Sequence, residues 1–124
     1  MLKEGMRFEV SETVTECNVA RAAGSGDLDV YATPSMVALM ERAAMECVRN
    51  GLGDGETTVG TAISVKHLRG SVIGHRITAD AQLRLIDGRR LVFEVSARDG
   101  EHEIGTGSHE RFIVDSEKFM NRIK

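Results

Sequence analysis

The segment TPSMVALMERAAMECVRN, residues 33–50, decides the fold of this chain. Thr33 can cap a helix through its hydroxyl and Pro34 suits the first helical position, so the two together predict a helix start. The helix should continue to about Asn50 and stop at Gly51. Its apolar side chains recur every three or four residues along one face: Met36, Leu39, Met40, Ala43, Ala44, Cys47 and Val48. A stripe of this width must be covered by a second element, so the helix predicts a packed core.

The sequence on either side of this helix predicts mainly β-structure. Before it, the alternating residues Arg7–Glu16 indicate a strand, or a strand broken by a bulge, and Ala20–Asp29 indicates a flexible loop. After it, four strands are predicted: Thr58–Leu68, Ser71–Ile86, Arg90–Arg98 and His102–Val114. Asp87-Gly88 and Asp99-Gly100 are hairpin signals, because glycine tolerates the positive φ of tight turns. Residues Ser116–Lys124 predict a terminal helical turn.

Helix and strands together predict an α+β fold in a single domain, residues 1–124. Successive hairpins give an antiparallel meander, and the long helix must bury its stripe on one face of that sheet. The expected architecture is one long central helix wrapped by a curved antiparallel β-sheet, which is the hot-dog fold.

Composition excludes several functional classes. The 124 residues include 19 acidic and 16 basic ones, a formal charge of -3, and no basic run suited to nucleic acid. Cys17 and Cys47 form no CxxC or Cys/His spacing, so no metal site is expected and reduced thiols are the simplest interpretation. Neither a signal peptide nor a membrane span is apparent, and we expect a cytoplasmic protein.

Three polar residues occupy positions where chemistry could occur. Glu41 lies beside the apolar stripe, where partial burial suits a general base or nucleophile, although pairing with Arg42 or Arg69 would also explain it. His67 ends a predicted strand and could exchange protons near neutral pH, or could be structural. Thr33 is explained by capping alone, which does not exclude a role in orienting a catalytic group.

The chain after Gly5 resembles the fluoroacetyl-CoA thioesterase family of the hot-dog superfamily. The resemblance rests on four segments: VYATPSMVALMERAAMECV, VGTAISVKH, LIDGRRLVFEVSARDG and EIGTGSHERFIVDSEKF. Their order and spacing follow the family. The resemblance places the family's catalytic threonine, glutamate and histidine on Thr33, Glu41 and His67, its glycine near the acyl group on Gly60, and its active-site arginine on Arg111.

This resemblance implies hydrolysis of an acyl-CoA with no metal and no redox cofactor, coenzyme A being part of the substrate. Glu41 would attack the thioester carbonyl or activate a water, and His67 would shuttle a proton. Thr33 would orient that histidine or the substrate. The helix N-terminus would stabilise the oxyanion through an amide of Ser35 or Met36, because Pro34 has no N–H.

Two of these positions have simpler explanations. Gly60 would let the acyl group approach the strand backbone, but a β-bulge explains a strand glycine equally well. Arg111 would contact the substrate or hold a carboxylate, whereas an exposed strand arginine is the structural alternative.

The spacing of the catalytic candidates bears on assembly. Thr33 and Glu41 are separated by a helical rise of about 12 Å, so they cannot touch. A shared site would require the substrate between them or a group from a neighbouring subunit. Hot-dog proteins usually form their sites at a dimer interface, and we predict a homodimer.

One segment departs from the family. Fluoroacetyl specificity is associated there with an aromatic lid before the helix, whereas Ala20–Asp29 contains no aromatic residue and Tyr31 is the only one nearby. A small or medium acyl-CoA is therefore the expected substrate rather than fluoroacetyl-CoA. The alternatives are a hot-dog hydratase or dehydratase, and a non-catalytic acyl-CoA binding or sensing protein.

Overall fold

The computed structural model describes residues 1–124. Five strands and three helices follow one another along the chain: β1 (Arg7–Thr13), α1 (Ala20–Ala23), α2 (Thr33–Arg49), β2 (Glu56–His67), β3 (Arg76–Asp87), β4 (Arg90–Asp99), β5 (His102–Asp115) and α3 (Ser116–Ile123). The terminal helix α3 confirms the helical turn predicted at the end of the chain. None of the helices combines the length and the apolar character needed to cross a membrane.

All five strands belong to one antiparallel sheet with the order β1-β3-β4-β5-β2. Gly88 and Gly100 close the β3-β4 and β4-β5 hairpins, each with a φ of 60°. Both hairpins agree with the sequence prediction. The meander covers only β3 to β5, because β1 and β2 come from earlier in the chain and add to opposite edges.

Helix α2 packs its apolar stripe on the concave face of this sheet. The buried residues of α2 are those of the predicted stripe: Met36, Leu39, Met40, Ala43, Ala44, Cys47 and Val48. They meet fully buried strand residues such as Leu83 and Phe93 in one core. On β5, Gly105 lets the helix come close, since a Cβ there would lie 2.7 Å from Met36 Cε. Burial of this stripe fixes which face of the sheet is internal.

Strand β2 forms an edge of the sheet. It pairs with β5 on one side, and no strand occupies its other side. A bulge between Gly60 and Ala62 shifts the register with β5. Because residues paired in register point to the same face, Gly60, Ile63 and His67 lie on the concave face. This edge strand therefore carries two of the candidate site residues towards the helix.

Three boundaries differ from the sequence prediction. Ala20–Ala23 is a short helix inside the predicted loop, and Gly24 ends it with a φ of 72°. Residues 71–75 form a loop, and β3 begins only at Arg76, after Gly74 has taken a φ of 97°. The first strand stops at Thr13 and keeps one register with β3, so it contains no bulge. Hydrophobic alternation did not distinguish these loop residues from strand residues.

The ends of α2 are also held differently from the prediction. Ala32 is the N-cap residue and no side chain caps the helix, so the expectation that Thr33 caps it is wrong. At the other end Asn50 is the C-cap in a right-handed conformation, and Gly51 takes no positive φ. Gly51 instead packs closely against Leu2, because a Cβ there would lie 2.5 Å from Leu2 Cδ2.

Candidate active site

Thr33 and His67 meet where the start of α2 faces the end of β2. The Thr33 hydroxyl lies 2.8 Å from His67 Nδ1, a hydrogen-bond distance. Because the Thr33 hydroxyl does not cap the helix, it is available to fix the orientation of the His67 imidazole ring. These two candidate residues, 34 positions apart in sequence, are therefore brought together by the fold.

His67 Nε2, the other ring nitrogen, is buried and has no hydrogen-bond partner. His67 and Thr33 line a cavity of about 310 Å³ together with Ala20, Ser25 and Tyr31. Burial lowers the pKa of His67, which favours the neutral imidazole at neutral pH. A neutral imidazole can accept a proton near neutral pH and deliver it again.

Glu41 lies two turns further along α2, against the bulge of β2. A Cβ on Gly60 would be only 2.6 Å from Glu41 Oε2, so the carboxylate occupies the space that a side chain would fill. The side chain of Glu41 is 40% exposed and makes no hydrogen bond, and it pairs with neither Arg42 nor Arg69. Of the two explanations of Gly60, the β-bulge is present, whereas approach of an acyl group to the strand stays a prediction.

Arg111 stands beside this carboxylate. Its side chain is 7% exposed and Nη1 lies 3.7 Å from Glu41 Oε2, so the alternative of an exposed strand arginine is wrong. Nε donates to Thr58 Oγ1 at 2.8 Å, and Nη2 donates to the Thr58 carbonyl at 3.0 Å. Burial lowers the pKa of Arg111, while the Glu41 carboxylate opposes that effect.

His109 is a fourth member of this cluster and was missed in the sequence. It is 2% exposed, Nε2 accepts from Arg111 Nη1 at 3.1 Å, and Nε2 lies 3.9 Å from Glu41 Oε2. Alternation along β5 could have identified His109, because His109 and Arg111 are two residues apart and therefore share a face of the sheet with Gly105. A histidine and an arginine both pointing at a core face indicate a polar cluster.

The two amides proposed as oxyanion donors differ in availability. The Met36 amide donates to the Ala32 carbonyl at 3.0 Å and its side chain is buried in the core, so this amide is not free. Ser35 lies one residue earlier, and its carbonyl oxygen is 3.3 Å from the Tyr31 hydroxyl, whose hydrogen is donated to Glu12 Oε2 at 2.5 Å. The Ser35 amide is the remaining candidate for the oxyanion donor, but Ser35 does not line the cavity that contains Thr33 and His67.

Within one chain the candidate residues therefore form two separate clusters on the concave side. Thr33 pairs with His67, whereas Glu41 joins Gly60, His109 and Arg111. The helical rise between Thr33 and Glu41 is about 12 Å. Within one chain, no hydrogen bond or ion pair joins the Glu41 carboxylate to the His67 imidazole.

Comparison with known proteins places the chain among thioesterases. The family model for fluoroacetyl-CoA-specific thioesterase (FlK) matches residues 14–117. The fluoroacetyl-CoA thioesterase of Streptantibioticus cattleyicolor is 44% identical over 96 residues, which are 77% of this chain and 69% of that protein.

Solved structures show the same relationship. A structure of the fluoroacetyl-CoA thioesterase FlK superposes with a TM-score of 0.94 at 36% identity, covering 99% of this chain and 96% of that one. A hot-dog-like protein from Thermanaerovibrio acidaminovorans, 22% identical, shares the fold with a TM-score of 0.87 over 97% of this chain and 89% of its own. The predicted hot-dog fold is confirmed, and the chain belongs to the fluoroacetyl-CoA-specific thioesterase family.

Proposed function

We propose that the protein hydrolyses a small or medium acyl-CoA thioester to the free acid and coenzyme A, without a metal or redox cofactor. One observation carries this proposal: the Glu41 carboxylate rests on the glycine of the β2 bulge and forms no hydrogen bond within the chain. The lone pairs of the Glu41 carboxylate are therefore free to accept a proton from water or to attack the thioester carbon. Family membership supplies the thioester as the bond to be broken.

Glu41 acts either as the general base that activates water or as the nucleophile. As a nucleophile its oxygen would bond to the carbonyl carbon, expel the coenzyme A thiolate and leave an anhydride, which water then cleaves. Trapping with hydroxylamine distinguishes the two routes, because an anhydride at Glu41 yields a hydroxamate whose mass shift appears in the Glu41 peptide. Unmodified peptide under turnover would support the base route.

His67 serves as the proton shuttle in this scheme. The Thr33 hydroxyl engages Nδ1 at 2.8 Å, so Nε2 is the nitrogen left to exchange a proton with water or with the departing thiolate. The lowered pKa of His67 keeps the ring neutral at rest, ready to take the proton that water releases. The helix N-terminus, with Ser35, would contribute donors for the oxyanion.

The proposal includes a homodimer formed through the free edge of β2. An unpaired strand of 12 residues exposes backbone donors and acceptors that a second copy can satisfy. An antiparallel two-fold pairing centred near Ile63 would lay the partner's His67 within about two residues, or roughly 7 Å along the strand, of Gly60. Glu41 of one chain and the Thr33–His67 pair of the other would then face a common cleft. A fully active monomer in sedimentation experiments at assay concentration would contradict this arrangement.

The acyl group is proposed to be larger than, or different from, fluoroacetyl. The cavity beside His67 is lined on the α1 side by Ala20 and Ser25, and no aromatic side chain closes it from that segment. Small side chains leave room for additional methylene groups, each of which contributes about 1–3 kcal/mol of selectivity in an apolar pocket. We also propose a cytoplasmic location.

The test is thiol release from a panel of acyl-CoAs by the wild type, Glu41→Ala and His67→Ala. Each variant should lose at least about 10²-fold in kcat, because general acid–base groups contribute on that order. Glu46→Ala on α2 and His102→Ala at the exposed start of β5 are matched controls that should keep wild-type kcat.

Three outcomes would contradict the proposal. Retained turnover in both variants would remove the site assignment. Tight binding without turnover by the wild type would indicate a non-catalytic acyl-CoA binding or sensing protein. Hydration of an enoyl-CoA without thiol release would indicate a hydratase.

A further inference from the structure

His109 is held in one protonation state and one tautomer by its neighbours. Its Nδ1 lies 2.8 Å from the Ala62 carbonyl, which can only accept, so Nδ1 carries the hydrogen. Burial lowers the pKa of His109 and the Arg111 guanidinium lowers it as well, while the Ala62 carbonyl and the Glu41 carboxylate act in the opposite direction. The ring is therefore neutral, and its Nε2 lone pair is directed at Arg111 Nη1, 3.1 Å away.

The Arg111 guanidinium is thus fixed on two sides. Thr58 accepts from Nε and Nη2 at 2.8 and 3.0 Å, and His109 accepts from Nη1. Fixed in this way, Nη1 stays 3.7 Å from Glu41 Oε2, which is too far for a hydrogen bond. The cation attracts the carboxylate but does not occupy its lone pairs.

We propose that His109 is a positioning residue for the thioester hydrolysis, because its Nε2 lone pair keeps Arg111 from bonding the reactive carboxylate of Glu41. The inference rests on the proposed function. Without this acceptor, Arg111 Nη1 would still have Glu41 Oε2, an acceptor 3.7 Å away, and a short movement of the guanidinium would form a direct ion pair. A charge-assisted bond of that kind is among the strong hydrogen bonds in proteins, and it would occupy the oxygen needed for catalysis.

Two substitutions of His109 separate its two hydrogen bonds. Asparagine in His109→Asn can donate to the Ala62 carbonyl from the Nδ1 position but offers no acceptor to Arg111. Glutamine in His109→Gln places an oxygen near the Nε2 position and can accept from Arg111. We expect kcat to fall at least about tenfold in His109→Asn with little change in KM, and to stay within about threefold of the wild type in His109→Gln.

A double-mutant cycle tests whether His109 acts through Arg111. In an Arg111→Gln background, which removes the cation, His109→Asn should lower kcat less than about twofold further. The inference would be overturned if the loss of kcat in the double variant equalled the product of the losses in the two single variants. Equal kcat values for His109→Asn and His109→Gln would also overturn it. A crystal structure of His109→Asn with Arg111 Nη1 still 3.7 Å from Glu41 Oε2 would overturn it as well.

Folding and basal activity are controlled separately. Melting temperatures show whether each variant folds. If His109→Asn does not fold, Thr58→Val is the second variant, because it removes another hydrogen-bond acceptor from the Arg111 guanidinium at nearly constant side-chain volume. Thr58→Val should also lower kcat. Wild-type kcat in Thr58→Val would then overturn the inference. Absence of thiol release by the wild type would refute the proposed function itself, whereas an active wild type with an equally active His109→Asn would refute only the role of His109.

Discussion

Replacing Gly60 with alanine should remove most of the activity while leaving the protein folded. The added Cβ would lie 2.6 Å from Glu41 Oε2 and 3.3 Å from Arg111 Nη1 and His109 Cε1. Ordinary carbon–oxygen contacts begin at about 3.3 Å, so the carboxylate oxygen must retreat by roughly 0.7 Å. The methyl group would also fill part of the space in which the thioester carbonyl has to approach Glu41.

The two effects of this substitution differ in size. A displacement near 1 Å of a reacting group can lower kcat on the order of 10²-fold. Stability should change by less than about 1 kcal/mol, because Gly60 has no positive φ and alanine fits its backbone. The displaced atom is the end of a flexible side chain that is 40% exposed, and it can move without opening the core.

The assay combines thiol release with thermal unfolding, and Gly105→Ala is the matched control. A Cβ at position 105 would lie 2.7 Å from Met36 Cε and 3.2 Å from Met40 Cε in the fully buried core. That variant should lose about 1–3 kcal/mol of stability through overpacking. If Gly60→Ala keeps kcat within about threefold of the wild type, the close contact between Gly60 and Glu41 does not matter for catalysis. Destabilisation as large as that of Gly105→Ala would instead contradict the expectation that the Glu41 side chain can move without disturbing the core.

Three further predictions concern single groups. Thr33→Val should lower kcat about tenfold in the thiol-release assay, because the His67 ring loses the hydrogen bond at Nδ1; unchanged kcat would argue against an orienting role. The acidic limb of the kcat/KM pH profile should lie below about pH 6.5, since burial lowers the pKa of His67 and the neutral base survives to lower pH; a limb above that value would exclude His67 as the titrating base. Tyr31→Phe should cost about 1–3 kcal/mol in denaturant unfolding, because the buried hydroxyl donates to Glu12 Oε2 at 2.5 Å; equal midpoints would show that this bond contributes nothing.

Long periodic segments could be predicted from the sequence because a single physical requirement fixes them. The stripe from Met36 to Val48 must be buried, and it is. The turns at Gly88 and Gly100 need a positive φ, which glycine provides. By contrast, Ser71 to His75 contains the β-branched residues Val72 and Ile73, which are typical of strands, but it lies in a loop where Gly74 turns the chain before β3. Only an isolated bridge between Val72 and Val30 forms there, and residue type does not reveal whether such a pairing extends into a strand.

The candidate site was predictable only in part for a similar reason. Thr33 and Glu41 stand out on the helix, but what each of them contacts depends on the strand order of the folded sheet. The edge position of β2 brings His67 to the start of α2, and its bulge brings Gly60 to Glu41. His109 was missed although alternation along β5 places it on the same face as Arg111; only its contact with the Ala62 carbonyl on the neighbouring strand could not be predicted from the sequence.

The free edge of β2 has a genetic consequence. In a two-fold dimer through this strand, each cleft takes its carboxylate from one chain and its imidazole from the other. Chains carrying Glu41→Ala and chains carrying His67→Ala would each form inactive homodimers, yet a mixed dimer would keep one cleft with both groups intact. Random exchange of subunits would restore about a quarter of wild-type activity. Two damaged alleles would then complement each other in the same cell, although neither encodes a working enzyme.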